Sequence, residues 1–189
     1  MTEEVKFGEE CSNLKTLKMA CVNALKQWTG LPNVSILYDS DVDTFTDSGF
    51  FEKVKNKQNV AIIACTTDGD VFGGFYTVAA TGPWEYFFDP NMFIFSFESH
   101  GRCMTPQRFT VKWFFQKEAF VRFCKNDKKD GWFVWFGVDR CYFSLGNERS
   151  TTYCCELSIA FEGIQDKTLT GSSVYPNFVC TRLLAVQLC

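Results

Sequence analysis

From Pro32 onward, the sequence consists mainly of short apolar runs separated by turn signals. One run reads Trp-Phe-Val-Trp-Phe-Gly-Val at residues 132–138, and phenylalanine alone supplies 21 of the 189 residues. β-branched and aromatic residues of this kind favour pleated strands. Several runs are apolar at nearly every position, which is typical of strands with both faces covered. The sequence therefore predicts a mainly β domain with an aromatic-rich core.

Strands are predicted within eight segments. These are residues 60–67, 70–80, 92–99, 108–115, 132–138, 141–145, 153–161 and 182–188. The first two flank Asp68-Gly69, a dipeptide that favours a hairpin turn because glycine accepts a positive φ. A short helix is predicted over residues 50–57, before the first hairpin.

The N-terminal region has a different period. Ser12 is a candidate cap for a helix running to about Trp28, because apolar residues recur there at three- and four-residue steps. Gly30 and Pro32 are expected to end it. We therefore divide the chain into an N-terminal extension with an amphipathic helix, residues 1–30, and one main domain, residues 31–189. A chain of 189 residues is too short for two ordinary domains.

Cysteine usage and the N-terminal sequence indicate a cytoplasmic or nuclear protein. Ten cysteines are spread along a chain whose acidic N-terminus lacks the apolar segment of an export signal, which favours reduced thiols. No Cys-x-x-Cys occurs and His100 is the only histidine, so no metal site or cofactor is predicted. We expect no membrane insertion, because no apolar run approaches the length of a membrane span.

Two segments were candidates for chemistry. His100 and Cys103 could form a base and nucleophile, but spacing alone rarely places two side chains within hydrogen-bond reach, and we expect no enzyme activity. The acidic stretch from Asp39 to Asp47 resembles a calcium loop, yet it carries Thr44 and Phe50 where the bend glycine and the bidentate glutamate are required. We expect instead a solvated surface turn in which Asp47 or Ser48 caps the next helix, with partner binding as the alternative.

A basic and aromatic stripe runs from residue 108 to residue 129. Its pattern is typical of a surface that contacts phosphates and stacks bases. Alternation in a strand, with aromatic residues inward and lysines outward, produces the same pattern without a ligand, and this interpretation is favoured. The candidate nucleic-acid contacts are Arg108, Lys112, Lys117, Arg122, Lys125, Lys128 and Lys129.

The order of motifs between residue 36 and the last predicted strand resembles the TLDc domain family. A Leu-Tyr segment with an aspartate precedes a Thr-x-Asp-Gly-x-x-Phe-Gly-Gly hairpin, followed by a tryptophan, an Asp-Pro-Asn turn and a Phe-rich strand. A Phe-Gly-Val-Asp segment follows before another strand. The matching positions are Asp43, Asp68, Gly69, Phe72, Gly73, Gly74, Asp89, Pro90, Gly137 and Asp139.

This resemblance implies a fold and a class of function. The fold is α+β but mainly β: a sandwich of two antiparallel sheets with a few short flanking helices, here with an added N-terminal helix. Family members are linked to protection against oxidative damage, several bind the vacuolar proton pump, and no accepted catalytic activity accompanies the fold. We therefore expect a non-catalytic protein-interaction module with the vacuolar pump as candidate partner. The alternative is a peroxide-responsive nucleic-acid-binding regulator that uses the basic stripe.

Overall fold

A computed structural model describes residues 19–125, 131–147, 153–154, 156–171 and 178–189. The helices are α1 (Met19–Thr29), α2 (Asp47–Val54) and α3 (Leu157–Ala160), with a 3-10 helix at Trp113–Glu118. The strands are β1 (Val34–Asp39), β2 (Val60–Thr66), β3 (Val71–Tyr76), β4 (Tyr86–Phe88), β5 (Phe93–Glu98), β6 (Gln107–Thr110), β7 (Ala119–Phe123), β8 (Trp132–Val138), β9 (Cys141–Gly146), β10 (Tyr153–Cys154) and β11 (Cys180–Leu188).

These strands form two antiparallel sheets that face each other. The six-stranded sheet has the order β1-β11-β2-β3-β5-β6, and the five-stranded sheet has the order β10-β9-β8-β7-β4. One face of each sheet contributes alternate residues to a shared core, in which Phe72 packs edge-on against Phe143 and Tyr76 against Phe123. The predicted two-sheet sandwich is therefore confirmed.

Helix α1 covers the other face of the six-stranded sheet. Leu25 and Trp28 pack on it, and the Trp28 ring stacks on Phe97 with ring centroids 5.8 Å apart. The helix ends at Thr29, and the φ of 73° at the following Gly30 is the left-handed conformation that terminates many helices. The first turns of the predicted helix lie outside the described residues.

The two ends of the main domain lie side by side. β1 pairs with β11, and the Asn33 backbone N–H donates to the Cys189 carbonyl over 2.9 Å. The Cys189 N–H donates back to Asn33 over 3.1 Å. These bonds extend the pairing between the first and last strands of the chain at the edge of the six-stranded sheet.

Two strand predictions were partly wrong. Residues 113–115 belong to the 3-10 helix instead of extending β6, and residues 157–160 form α3 instead of continuing β10. Both segments are rich in apolar residues, a pattern that a short helical turn produces as readily as a strand. β1, β4 and β7 were not among the predicted strands.

Candidate interaction surface

The outward face of the five-stranded sheet carries aromatic side chains. Residues of β7 and β8 alternate between the core and this face, so Arg122 and Trp135 point outward, and the register places Tyr86, Arg122 and Trp135 in one row across three strands. We call this surface the aromatic-arginine face. It consists of Trp84, Tyr86, Phe88, Arg122, Trp135 and Tyr142.

Arg122 lies at the centre of the face, among three rings. Its guanidinium carbon is 4.6 Å from the Tyr86 ring centroid, 5.2 Å from that of Trp135 and 5.4 Å from that of Trp84. Nη1 donates to the Tyr86 hydroxyl over 3.2 Å, whereas Nε is buried without a hydrogen-bond partner. Cations at this distance from aromatic faces are held by the ring quadrupoles, so the rings fix the guanidinium in place.

Three aromatic members of this face are substantially exposed. The exposed fractions are 38% for Trp84, 48% for Tyr86 and 59% for Phe88, whereas the aromatic residues between the sheets are buried. The described helices do not cover this face, because α2 and α3 direct their buried residues into the core between the sheets. The two sheets therefore differ: α1 covers the outer face of one, and the other presents aromatic rings to solvent.

Trp135 and Tyr142 form the flat part of the face. Their rings stack with centroids 5.0 Å apart and planes 9° from parallel. Tyr142 lies against Gly137 on the neighbouring strand, where a Cβ would be only 2.2 Å from the Tyr142 Cβ. Gly137 therefore allows Tyr142 to lie close to the sheet.

A second polar cluster surrounds Asp70 at the end of the first hairpin. The buried Asp70 carboxylate accepts from Arg102 Nη2 over 2.5 Å and lies 2.9 Å from His100 Nδ1. Arg102 also donates to the Thr168 and Leu169 carbonyls, over 3.0 and 3.1 Å. The cluster therefore connects the hairpin turn before β3, the loop that carries His100 and Arg102, and the segment at residues 168–169.

The same cluster occupies His100, the base of the candidate dyad. His100 Nδ1 faces Asp70, while the Cys103 N–H donates to Ser99 Oγ over 2.7 Å and the Cys103 side chain packs against the core. Among the described residues, no hydrogen bond joins His100 to Cys103. The hydrogen-bond partner of His100 is therefore the Asp70 carboxylate and not the Cys103 thiol.

The acidic stretch is more buried than the sequence indicated. Asp39 and Asp47 are buried, and Arg182 binds the Asp39 carboxylate through Nε over 3.0 Å and Nη2 over 2.5 Å. The prediction of a solvated turn was therefore wrong at these two positions. The predicted cap was also wrong: Thr46 Oγ1 accepts the Gly49 N–H at the start of α2.

Asp43 anchors the same loop to α2. Burial opposes ionisation of this carboxyl, but bonds from the Asp39 N–H and from Lys53 Nζ outweigh it and lower the pKa of Asp43. In the part of the chain that the structure describes, no three His, Cys, Asp or Glu side chains are grouped as a metal site requires. The acidic side chains that we can place are used to hold the loop.

Comparison with known families identifies the chain. The family model of the TLDc domain matches residues 10–170. The chain belongs to the TLDc domain family. The match begins within the predicted N-terminal extension and includes α1, which packs on the six-stranded sheet. No curated protein shows significant similarity to the chain. None of the helices we can describe has the length and apolar character needed to span a membrane.

The TLDc glycine pair lies where a neighbouring strand and an aromatic ring approach the backbone of β3 closely. A Cβ on Gly73 would be 1.9 Å from the Ile62 carbonyl oxygen, and one on Gly74 would be 2.5 Å from the Phe136 ring. Only a residue without a side chain fits these positions without displacing a neighbour. Phe72 beside them packs against two rings in the core.

The remaining TLDc motif positions form turns. Asp68 and Gly69 lie in the turn between β2 and β3, where Gly69 has a φ of 83°, and Asp139 has a φ of 44° between β8 and β9. Asp89, which precedes Pro90, accepts the Thr77 N–H over 2.5 Å and its hydroxyl over 2.9 Å. The turn conformations and hydrogen bonds of these motif residues therefore stabilise the fold.

The predicted basic stripe is divided between opposite sides of this TLDc domain. Arg108 lies over Phe93 on the side of α1 and donates to the Trp28 carbonyl over 2.7 Å, whereas Arg122 lies on the aromatic-arginine face. The other described cations have separate positions. Lys112 donates to the Ser158 carbonyl, Lys117 is on the 3-10 helix, and Lys125 pairs with Glu52. Lys128 and Lys129 lie outside the described residues.

The described thiols are mostly inside the domain. Burial raises the pKa of Cys124 and of Cys180 to about 12, and it raises the pKa of Cys65 as well. Thiolates are the reactive form of cysteine, so these buried side chains are poor nucleophiles. Cys189, at the end of the chain, is exposed.

Sequence reasoning missed the aromatic-arginine face itself. In the sequence Arg122 is one cation in a stripe, and the three rings around it come from three separate segments: the loop before β4, β4 itself and β8. The available signal was the presence of Tyr86 and Trp135 in apolar runs, where strand alternation can direct a side chain away from the core. Without the strand order, nothing in the sequence brings them together.

Proposed function

We propose that this TLDc domain is a non-catalytic protein-interaction module of the oxidative-stress response. It acts in the cytoplasm by binding subunits of the vacuolar proton pump through the aromatic-arginine face. One observation carries this proposal: Trp84, Tyr86 and Phe88 are exposed around a fixed arginine on the outer face of the five-stranded sheet.

The composition of the face supports a protein partner. Tryptophan, tyrosine and arginine are the residues most enriched at the energetic centres of protein interfaces. Contiguous exposed apolar surface on a soluble domain generally marks an interaction site. The family relationship supports the oxidative-stress context, because the matching model is that of the TLDc domain.

Affinity capture from cell extract tests the proposal. The full chain is used as bait, with and without peroxide, and is compared with the double variant Tyr86→Ser and Phe88→Ser. We expect vacuolar pump subunits to co-purify in stoichiometric amount with the parent chain and to be lost with the variant. Met104→Ser is the matched control, because Met104 is also an exposed apolar side chain but lies outside the face.

Two outcomes would count against the proposal. If no pump subunit co-purifies under either condition, the proposed partner is wrong. If the double variant retains the same subunits as the parent chain, the aromatic-arginine face is not the contact surface.

Nucleic-acid binding is the competing function. The observation in its favour is a guanidinium held beside exposed rings, since bases stack on such rings and phosphates bind arginine. A salt titration of DNA binding by the parent chain and by a variant with Lys112→Glu and Arg122→Glu tests it. A binding constant with a steep salt dependence that the variant reduces would support this function, and an unchanged slope would remove the stripe from consideration.

A further inference from the structure

Arg122 is a cation without a carboxylate partner in the described part of the chain. Arg102 and Arg182 each pair with a buried aspartate, whereas the neighbours of Arg122 are three rings and the Tyr86 hydroxyl. A guanidinium presents five N–H donors, and one donor bond is observed for Arg122, to Tyr86. Because Nε is buried, the donors that can serve a ligand are the remaining N–H groups of Nη1 and Nη2.

We propose that the aromatic-arginine face binds a segment of a protein partner in which aspartate or glutamate is flanked by apolar side chains. The carboxylate accepts from the Arg122 guanidinium, and the flanking side chains cover Tyr86 and Phe88. This inference rests on the proposed function, because it specifies the chemistry that the partner presents to the same face.

The rings give this site its selectivity for a planar anion. They hold the guanidinium at 4.6 to 5.4 Å from three ring centroids, so its donor geometry is fixed before binding. A fixed guanidinium matches a carboxylate by two parallel hydrogen bonds, and little conformational entropy is lost when they form. Apolar neighbours also exclude water, which strengthens the ion pair.

The charge distribution favours an acidic protein segment over nucleic acid. Affinity for nucleic acid comes from several phosphate contacts at once. Arg122 is the only cation that we assign to the face, Lys125 beside it pairs with Glu52 over 2.9 Å, and Arg108 lies on the opposite side of the domain. The net charge of the chain is −3. A single carboxylate can pair with this single cation, whereas nucleic acid would need several cations to contact several phosphates at once.

The exposed rings indicate apolar side chains next to the carboxylate. Tyr86 and Phe88 alternate along β4, which lies at the edge of the five-stranded sheet. Partner side chains at alternate positions of an extended segment would match this spacing. Burial of the two rings would then supply binding free energy, and the carboxylate would determine the register.

Peptide titration followed by NMR of the isotope-labelled full chain tests the inference. The first probe is a synthetic peptide in which glutamate alternates with phenylalanine. The second is the same peptide with glutamine in place of glutamate. The third probe is a short oligothymidylate. The indole N–H signals report on the face directly, because Trp84 and Trp135 belong to it.

We expect the glutamate peptide to bind at least about tenfold more tightly than the glutamine peptide, as for a hydrogen bond to a charged group. Arg122→Gln is expected to reduce this ratio to about one, because it removes the charge that distinguishes the two peptides. Lys117→Gln serves as the control: it removes a cation on the 3-10 helix, and the ratio should persist.

Phe88→Ala provides a second variant if Arg122→Gln fails to fold. Phe88 is largely exposed, so its removal should leave the fold intact and weaken both peptides by a similar factor. The inference is overturned if the two peptides bind equally to the parent chain, or if the ratio survives in Arg122→Gln. It is also overturned if the oligothymidylate binds more tightly than the glutamate peptide in an Arg122-dependent manner.

The two proposals can fail separately. If neither peptide binds but pump subunits are still lost with the Tyr86 and Phe88 double variant, the face is an interface of different chemistry. If the peptides bind as expected but no pump subunit is captured, the carboxylate site stands and the identity of the partner is wrong.

Discussion

Replacing Gly73 by alanine is expected to destabilise the sandwich severely. The new Cβ would be 1.9 Å from the Ile62 carbonyl oxygen and 2.9 Å from Phe95 Cζ, whereas ordinary van der Waals contact begins at 3.4 Å. Ile62 lies on β2, which is hydrogen-bonded to β3. The two strands would have to separate at this point, because a backbone carbonyl within a ladder cannot rotate away.

The magnitude follows from two opposing effects. Overpacking costs about 1 to 3 kcal/mol, and each ladder hydrogen bond lost costs about 1 kcal/mol more. Alanine also lowers the conformational entropy of the unfolded chain relative to glycine, which offsets about 0.4 to 1 kcal/mol of this destabilisation. We expect a net loss of about 3 kcal/mol from a free energy of unfolding that is about 5 to 15 kcal/mol in ordinary domains.

Urea unfolding measures this loss. With an m-value of about 2 kcal/mol per molar urea, the midpoint should fall by about 1.5 M while the m-value stays unchanged. Gly82→Ala is the matched control, because its Cβ would meet only the flexible Glu85 carboxylate, at 3.3 Å. If Gly73→Ala unfolds within about 0.5 kcal/mol of the control, this glycine is not required by strand packing and our explanation of the TLDc motif fails.

Three further predictions concern a carboxylate, a loop anchor and the thiols. The pKa of Asp43 is lowered in the folded state, so the Lys53 contact should stabilise the fold above the ordinary carboxyl pKa of about 4 and lose its effect as pH falls through the lowered value. Lys53→Met should therefore reduce stability by at most about 1 kcal/mol at pH 6, and the difference should shrink in acid unfolding curves as pH falls through the lowered pKa of Asp43. Asp70→Ala should destabilise by about 2 to 4 kcal/mol in urea unfolding, because it leaves the Arg102 guanidinium without its buried partner. In thiol titration at pH 8, Cys189 should react at once and Cys180 only on unfolding, since burial raises the pKa of Cys180 to about 12.

Specific results would contradict each of these. A Lys53→Met effect that stays constant from pH 6 down to the acid range in which Asp43 is protonated would exclude the charge interaction with Asp43. An Asp70→Ala variant no less stable than Asp41→Ala, which removes a largely exposed carboxylate, would show that the buried cluster does not anchor its loops. Rapid labelling of Cys180 in the folded domain would show that this thiol is accessible.

The motif residues show how far sequence reasoning reached. Paired glycines in an apolar strand indicate close approach of a backbone or a ring, and Gly73 and Gly74 contact one of each. The turn at Asp68-Gly69 also followed from local chemistry, because few residues other than glycine adopt a φ of 83° without strain. Such features depend on neighbours in the chain or on the backbone itself.

The candidate site depended on distant partners. Arg122 and Lys112 look alike in sequence, but one lies among rings and the other donates to the Ser158 carbonyl. Asp39 looked solvated, and a strand 143 residues away supplies Arg182 to bury it. Composition gives no information about such pairs.

The sequence alone determined the mainly β character, the turn positions, the end of the first helix and the TLDc family, because these reflect local propensity and the order of motifs along the chain. The tertiary structure decided which sheet face α1 covers, which acids are buried, and that one arginine meets three rings. The physical reason is that strand order determines which side chains become neighbours, and strand order depends on the packing of the whole core. A surface such as the aromatic-arginine face therefore exists only once both sheets have formed.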